Sequence, residues 1–474
     1  MLSEIISELK SQKMIKNFVF VLLIVQPILD IISFFVAESN LNIFTTLLRM
    51  LIFGVVALYG FLITENKKPY FIMAAVLVVF FICHMVACFS DGYISLYEDV
   101  TMYVRTIQVP VYALAFITFF KHADSLKEEV GKAFWINYIT ITISILISFA
   151  VGRPEFTYTS GNGIKGWFYT GNAQSCIISV MAPLGLCYAY RKKNNWLFFF
   201  TLLLEFANLY FFGTRVAYYS IFIVGVAFLF FMVWNKEKRW AAYFMVITAM
   251  VVCMAGYKIS PCYLQQYEAN ASYDEWTEEI DKIKEDNKEQ DNQEQEINIE
   301  DYREIYELYC EKLVERFGLR KVVEKYEYST ETADIISNRA LKVNFGHLMM
   351  EEKNLLTHLF GFEYSDYLYD GEIFEPENDF PGIYFSCGYV GLGLYIAFIG
   401  YFVVVALKGV IVDKWKISLE KGMLGTALVL MVATAQMSGN VLRRPNVSIY
   451  LSIMLAYLYV ISVTKKKGNE DAKE

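Results

Sequence analysis

The sequence predicts an all-α polytopic membrane protein, with about twelve transmembrane helices and one large, mostly helical extracytoplasmic loop between helices 9 and 10. Composition is the first observation behind this prediction. Of the 474 residues, 56% are hydrophobic and only 19% are charged, whereas soluble proteins average roughly 45–50% and about 25%. The second observation is that apolar runs of about 18 residues or more recur from end to end, as transmembrane helices require. A net charge of −8 without a basic stripe excludes a nucleic-acid-binding protein.

About twelve apolar runs are long enough to span a bilayer core that is roughly 30 Å thick. They cover residues 18–36, 41–63, 70–89, 102–120, 134–151, 172–190, 196–213, 216–234, 241–259, 383–407, 423–437 and 447–463. Helices 1 to 9 therefore occupy residues 18–259, and helices 10 to 12 occupy residues 383–463. Because Lys and Arg concentrate in alternate connections, the positive-inside rule predicts that both termini are cytoplasmic. Residues 1–17 are then a cytoplasmic amphipathic segment, and residues 464–474 a cytoplasmic tail.

The connection at residues 260–382 is far longer than the others and is expected on the outer side. Its part 269–301 is rich in acidic and other polar residues, which is typical of a solvated helix or a disordered excursion. Residues 302–382 form the second part, and their apolar residues recur with helical spacing at the beginning of this stretch. We expect this second part to fold over the membrane helices.

The cysteines and histidines set few limits. Cys262 and Cys310 share the long loop, and the sequence leaves open whether they pair. The cysteine spacings match no zinc site, and His84, His347 and His358 form no ligand cluster with the scattered acids. The sequence therefore predicts neither a metal nor a cofactor.

Arginines lie in or beside spans on the side that positive charge normally avoids. They are Arg49, Arg105, Arg215, Arg443 and Arg444. An arginine near a helix end often extends to the lipid head groups, so any one of them alone indicates little. Guanidinium groups also bind phosphate through two hydrogen bonds and stay charged. Such a group of arginines therefore indicates a lipid phosphate or diphosphate ligand.

Other polar residues each allow two interpretations. Glu205, in the middle of the seventh span, either pairs with a neighbouring arginine or relays protons. The segment TSGNGIKGWFYTGNAQS contains Lys165, Trp167 and Asn172, and it is either a re-entrant turn packed by its aromatic rings or a platform for a sugar.

Carboxylates precede the tenth span in FEPENDFPGIYFSCGYVGLGLY. Glu375, Glu377 and Asp379 either form salt bridges with arginines or include a general base for an acceptor hydroxyl. Gly388, Gly391 and Gly393 follow, and such small residues let neighbouring helices approach closely.

An ordered set of motifs resembles the O-antigen ligase and polymerase superfamily, most closely its Gram-positive branch of O-antigen ligase-like proteins. The motifs are QPILDIISF, TLLRM, KGWFYTGNAQS, GTR, HLFGFEY followed by ENDF, and SGNVLRRPNVSIYL. This resemblance covers essentially the whole chain. It implies a bacterial cytoplasmic-membrane enzyme that moves a glycan from an undecaprenyl-diphosphate donor to a glycan acceptor at the outer face. The transfer needs no metal and inverts the anomeric carbon.

The resemblance also assigns residues. Arg215 matches the family's arginine at a span mouth, and Arg339 matches a second arginine in the long loop; both would hold the donor diphosphate and stabilise the leaving group. The ligases carry a histidine before the tenth span, where this chain has Glu377 and Asp379. Either a carboxylate is the base, or the reaction relies on the diphosphate and positioning alone. Asn440 takes the place of another family histidine.

The substrate-binding residues expected from these arguments are Arg105, Arg443, Arg444, Lys165, Trp167, Asn172, Arg49 and Asn440. Polymerisation of capsular or other surface repeat units is the first interpretation, and ligation to another surface acceptor is the alternative. A repeat-unit flippase and a chain-length regulator encoded nearby would favour the polymerase.

Three other classes remain as rivals. A secondary transporter also uses isolated charges in its spans, although this chain shows no internal repeat. A metal-dependent glycosyltransferase would use Glu98 and Asp99 as ligands and would lose activity to a chelator, whereas we expect no such loss. A scaffold without chemistry would tolerate loss of Arg215 and Arg339.

Overall fold

The computed structural model describes residues 7–38, 42–123, 125–290, 299–439 and 441–463. The predicted cytoplasmic tail, Asn440, and parts of the N-terminal segment and of the acidic excursion lie outside these ranges. The chain divides into two compact units. The membrane unit comprises Met1–Ala75, Val104–Gln265 and Ile396–Glu474, and the loop unit comprises Val76–Tyr103 and Gln266–Tyr395.

Each of the first nine predicted spans is a helix. They are α1 Gln12–Glu38, α2 Asn42–Ile63, α3 Lys68–Ser90, α4 Leu96–His122, α5 Leu126–Ala150, α6 Gly171–Arg191, α7 Asn195–Phe212, α8 Arg215–Trp234 and α9 Trp240–Ala255. A single 3-10 turn, Tyr257–Ile259, follows α9. Most of these helices begin and end within four residues of the predicted bounds, but α1, α4 and α5 begin six to eight residues earlier than predicted.

The long connection is mostly helical in the described residues. Its helices are α10 Pro261–Gln290, α11 Arg303–Tyr309, α12 Glu311–Phe317, α13 Leu319–Lys325, α14 Thr332–Ile335, α15 Asn338–Glu351 and α16 Leu355–Phe360. Two 3-10 turns lie at Ile299–Tyr302 and Tyr364–Tyr367, and a short antiparallel hairpin pairs β1 Leu368–Tyr369 with β2 Glu372–Ile373. The connection thus carries regular structure on both sides of residues 291–298.

The last three predicted spans are α17 Asp379–Val412, α18 Leu419–Met437 and α19 Pro445–Val463. Among the described residues, ten helices are long and apolar enough to cross a membrane, which agrees with an all-α polytopic membrane protein. The two predicted spans that miss this criterion are α9 and α18. The first has 16 residues, and the second begins with the charged residues Glu420 and Lys421.

Helix α6 is the centre of the membrane unit. It packs against α5, α7, α8, α18 and α19. Of the 18 consecutive residues that make it apolar enough to span a membrane, 89% are buried. Small side chains make this burial feasible, and a Cβ at Gly185 would collide with the Glu205 carboxylate of α7. The middle of the unit is therefore packed around one helix that has almost no lipid-facing surface.

The loop unit has a hydrophobic core of its own. Tyr306, Leu313, Phe345, Phe362 and Phe385 are each at most 1% exposed and belong to one cluster. The rings of Phe345 and Phe374 stack at a centroid distance of 4.4 Å. Burial of several aromatic side chains, each worth roughly 2–3 kcal/mol, gives this polar connection the stability of a folded body.

Two glycines let backbones cross inside the loop unit. Helix α17 is interrupted at Gly388, whose φ of 62° and ψ of −171° are not helical. A Cβ there would collide with the backbone of Leu359, and a Cβ at Gly361 (φ 88°) would collide with that of Ser386. The Phe362 N–H donates to the Phe385 carbonyl at 2.9 Å. Gly391 also lies close to Phe80, whereas Gly393 has no neighbour within 4 Å. Of these two glycines, only Gly391 therefore shows the expected close approach.

Candidate functional site

A polar cavity of about 290 Å³ lies in the membrane unit. It is lined by side chains from the second half of α1, the beginning of α2, α4, the segment before and at the beginning of α6, and the beginning of α19. These residues are Asp30, Ser33, Ala37, Thr45, Thr46, Arg49, Met50, Arg105, Gln108, Phe168, Tyr169, Thr170, Gln174, Arg444, Pro445 and Asn446. The cavity therefore brings together three of the arginines expected to bind substrate.

The charges that line the cavity are unbalanced. Asp30 accepts a hydrogen bond from Arg49 at 2.6 Å, and the two side chains are only 8% and 13% exposed. Asn446 also hydrogen-bonds to the Asp30 carboxylate. Arg105 and Arg444 add two further guanidinium groups to the lining. Three cations thus face a single carboxylate, which leaves a surface that attracts anions.

The backbone contributes to the same electrostatic character. Thr45 and Thr46 are in the first turns of α2, Thr170 is the N-cap of α6, and Pro445 opens α19. Three helices therefore begin at the cavity wall. Helix N-termini carry partial positive charge and N–H groups without intrahelical acceptors, which makes them common binding sites for phosphate.

The segment before α6 packs by its rings. Trp167 donates its indole N–H to the Arg153 carbonyl at 3.2 Å and contacts Phe35 edge-on at 5.0 Å, while Phe168 is 1% exposed. Lys165 and Asn172 are half-buried. None of Lys165, Trp167 and Asn172 is among the residues lining the cavity. The packed turn is therefore observed, and a sugar-binding role for these three residues stays a prediction.

Arg215 lies at a second place in the membrane unit. It is the exposed first residue of α8, after the N-cap Thr214, whose hydroxyl accepts from the Ala217 N–H at 3.2 Å. Gly213 precedes it with φ 89°, and a Cβ there would lie 2.8 Å from the Gly163 Cα. The turn is thus compatible only with glycine. Arg215 does not line the polar cavity.

The remaining arginine of this set, Arg443, is 4% exposed in the connection between α18 and α19. It does not line the cavity, although its neighbour Arg444 does. Adjacent residues of one connection point in different directions, so the pair expected from the sequence is divided between the packed interior and the cavity wall.

Two expected catalytic residues meet in the loop unit. Arg339 Nε lies 3.3 Å from a Glu377 carboxylate oxygen, and both side chains are partly exposed, by 44% and 30%. Glu375 accepts a hydrogen bond from the Tyr364 hydroxyl at 3.0 Å. Asp379, the first residue of α17, is fully buried. Glu377 is therefore the expected base that solvent and a hydroxyl can reach.

The histidines of the long loop have packing positions. His347 is half-buried on α15, and its ring meets Phe385 edge-on at 4.9 Å. Burial, reinforced by the nearby charge of Lys325, lowers its pKa below the ordinary 6.5. His358 is half-buried on α16. Neither takes the position before α17 that the resemblance gives to a histidine.

The expectation that Glu205 pairs with an arginine is wrong. Glu205 is fully buried in α7, and neither carboxylate oxygen has a hydrogen-bond partner among the described residues. The side chain lies against Gly185 of α6 instead. The sequence shows an acid in an apolar run but not which residues surround it, and here a glycine of the neighbouring helix lies against the carboxylate.

The expectation that His84 joins no ligand cluster is also wrong. His84, Cys88 and Asp99 offer ligand atoms that all lie within 4.8 Å of one another, and all three residues are buried. Glu98, which the metal-dependent rival pairs with Asp99, is exposed. In the sequence, the i, i+4 spacing of His84 and Cys88 on one helix indicates that these two side chains share a face. Asp99 is on another helix and joins them only through folding.

A comparison with protein families gives one match: the model described as O-antigen ligase like membrane protein matches residues 12–465. No curated protein matches the chain significantly. The matched range includes the polar cavity, Arg215, and the Arg339–Glu377 pair.

Proposed function

Because the chain belongs to the family of O-antigen ligase-like membrane proteins, we propose that it polymerises glycan repeat units carried on undecaprenyl diphosphate. The reaction takes place at the outer face of the bacterial cytoplasmic membrane and produces surface or capsular polysaccharide. Ligation of the lipid-linked glycan to another surface acceptor is the alternative within the same chemistry. The observation that carries this proposal is the polar cavity of the membrane unit.

The cavity supports a diphosphate ligand in two independent ways. Its guanidinium groups, Arg105 and Arg444 in particular, match the geometry of phosphate oxygens, and each charge-assisted hydrogen bond contributes roughly 1.5–3 kcal/mol. The helix N-termini near its wall add partial positive charge. In this proposal, Arg49 is held by Asp30 and shapes the wall, while the other two arginines bind the ligand.

The proposed reaction is a single displacement. The acceptor hydroxyl oxygen forms a bond to the anomeric carbon of the donor while the bond from that carbon to the diphosphate oxygen breaks, which inverts the configuration. Undecaprenyl diphosphate leaves with both electrons of the broken bond. Cations that meet this developing charge lower the barrier. The resemblance assigns this role to Arg215 and Arg339, neither of which lines the polar cavity, whereas within the cavity Arg105 and Arg444 bind the diphosphate in this proposal.

The proton of the acceptor hydroxyl goes to a carboxylate. Glu377 is the better candidate because its side chain is 30% exposed, whereas Asp379 has no exposed surface. The ion pair with Arg339 fixes the position of the Glu377 carboxylate. We expect Glu377→Gln to reduce glycan transfer at an unchanged expression level. For Asp379→Asn we expect the main effect to be a lower expression level.

The test uses the full-length protein in proteoliposomes with a lipid-linked oligosaccharide as donor. Arg105→Ala and Arg444→Ala should each lower turnover by about 10- to 100-fold, the equivalent of one lost charge-assisted hydrogen bond. Arg153→Ala is the matched control, because Arg153 is exposed and does not line the cavity. A ladder of products indicates a polymerase, and a single addition indicates a ligase.

Two outcomes would contradict the proposal. Wild-type turnover in both cavity variants would show that the diphosphate does not bind in this cavity. Solute uptake into the vesicles without any glycan turnover would favour the secondary transporter.

A further inference from the structure

Three buried side chains in the loop unit form a compact set of metal-ligand types. His84 and Cys88 are four residues apart on α3 and so share one face of the helix, and Asp99 is in the first turn of α4. They are 2%, 3% and 3% exposed. His84 Nε2 lies 2.9 Å from Asp99 Oδ2 and 3.5 Å from Cys88 Sγ. One nitrogen, one sulfur and one oxygen thus converge in an interior that excludes water.

The other imidazole nitrogen is oriented as in metal-binding histidines. His84 Nδ1 lies 2.7 Å from the Phe360 carbonyl oxygen. A carbonyl only accepts hydrogen bonds, so Nδ1 carries a proton and Nε2 is the nitrogen that faces Cys88 and Asp99. A ring N–H donated to a backbone carbonyl is the usual support of a histidine ligand, because it fixes both the tautomer and the ring orientation.

Glu363 adds an independent observation. It is 3% exposed, and its Oε2 accepts a hydrogen bond from the Ser95 N–H at 3.1 Å. Its Oε1 has no hydrogen-bond partner among the described residues. The Ile94 backbone also hydrogen-bonds to this carboxylate, whose charge acts on His84, Cys88 and Asp99. It is not part of the group of ligand atoms within 4.8 Å of one another, but a second buried negative charge beside that group favours a bound cation.

We propose that His84, Cys88 and Asp99 bind one zinc ion, with the charge of Glu363 nearby. Zinc prefers a tetrahedral set of nitrogen, thiolate and carboxylate ligands. Its bond lengths, about 2.0–2.1 Å to nitrogen, about 2.3 Å to sulfur and about 2.0–2.2 Å to oxygen, place ligand atoms roughly 3.3–3.6 Å apart. The observed separations from Nε2 differ from these by only a few tenths of an ångström. Binding releases the thiol proton of Cys88.

The ion has a structural role. The three ligands are at most 3% exposed, so the site is closed to a substrate. The ligands join the end of α3 to the beginning of α4, and the Phe360 carbonyl on His84 Nδ1 links them to the end of α16, all within the loop unit. The ion therefore fastens the two helix ends together. The inference does not depend on the proposed glycan transfer.

The competing explanation is a buried ion pair between a charged His84 and Asp99, with Cys88 as an ordinary buried thiol. Both explanations satisfy the distance from Nε2 to Asp99. They differ in Cys88, since the ion pair does not require a thiolate.

The experiment measures zinc in the full-length protein purified in detergent without added chelator. We expect about one zinc per chain, and at least about tenfold weaker retention in Cys88→Ala and His84→Gln, since even a supporting residue changes affinity 10–100-fold. Cys83→Ala is the matched control, because this half-buried free cysteine lies on the same helix next to His84 and outside the ligand set. It should keep the metal.

Cobalt gives a second readout that does not rely on a folded variant. Exchange of zinc for Co²⁺ in the wild-type protein should produce a thiolate-to-cobalt charge-transfer band. Absence of both zinc and this band in the wild type would establish the ion pair and overturn the proposal. Zinc that persists in both Cys88→Ala and His84→Gln would also overturn it, because the ion would then be elsewhere.

Discussion

Arg215 occupies the first position of a helix, after a threonine cap and a glycine that no other residue can replace without a collision. This turn fixes the backbone while the side chain stays exposed. The backbone of Arg215 is therefore held in position by its neighbours, and the chemistry of its head group can be tested with little effect on the fold.

We expect Arg215→Lys to lose most of the glycan-transfer activity, by about tenfold or more, and to leave expression intact. An ammonium group carries the same charge but does not reproduce the two parallel hydrogen bonds of guanidinium to phosphate. Turnover of the lipid-linked donor in proteoliposomes measures this, with Arg153→Lys as the control. Full activity of the lysine variant would refute a diphosphate-binding role for Arg215.

Glu205 leads to the opposite expectation. Since no described residue pairs with this buried carboxyl, Glu205→Gln should keep both thermal stability and turnover. Removing one partner of a buried ion pair would instead cost about 3–5 kcal/mol. Thermal unfolding in detergent and donor turnover together decide the case. Loss of turnover in a stably folded Gln variant would point to the proton relay.

At the scale of elements, the close crossing of backbones at Gly361 and Gly388 determines how the segment after α16 packs against α17. Gly388→Ala forces a side chain onto a positive-φ, extended backbone that is essentially restricted to glycine, at a cost of roughly 1–3 kcal/mol, and into the backbone of Leu359. We expect lower thermal stability and lower yield. Gly393→Ala, on the same helix with nothing within 4 Å, should leave both unchanged. Equal effects of the two substitutions would contradict a close crossing of backbones at Gly388.

The helices themselves were predictable from the sequence, because twenty consecutive apolar residues have one stable conformation in a bilayer. What each helix faces was not. The cavity is lined by five separate segments of chain. The surroundings of Glu205, the burial of Asp99 and the separation of Arg443 from Arg444 all depend on packing between helices distant in sequence. Residue type indicated which groups carry chemistry, and only the fold shows which of them meet.

For the whole molecule, the distribution of Lys and Arg predicts sidedness that cysteine labelling can measure. In intact cells, a membrane-impermeant maleimide should label Glu372→Cys, on the exposed hairpin of the long loop. It should label Lys416→Cys, in the exposed connection between α17 and α18, only after permeabilisation. The reverse pattern would invert the topology and place the proposed chemistry on the cytoplasmic side.

The burial of α6 has a consequence for how the protein is made. This helix leaves the ribosome early, yet α18 and α19, two of its main packing partners, follow only after residue 418. Until then its polar and small side chains face lipid or the insertion machinery. The packing of α6 is thus completed only after translation of the C-terminal helices, so a chain truncated before α18 should be recognised by membrane quality control and degraded.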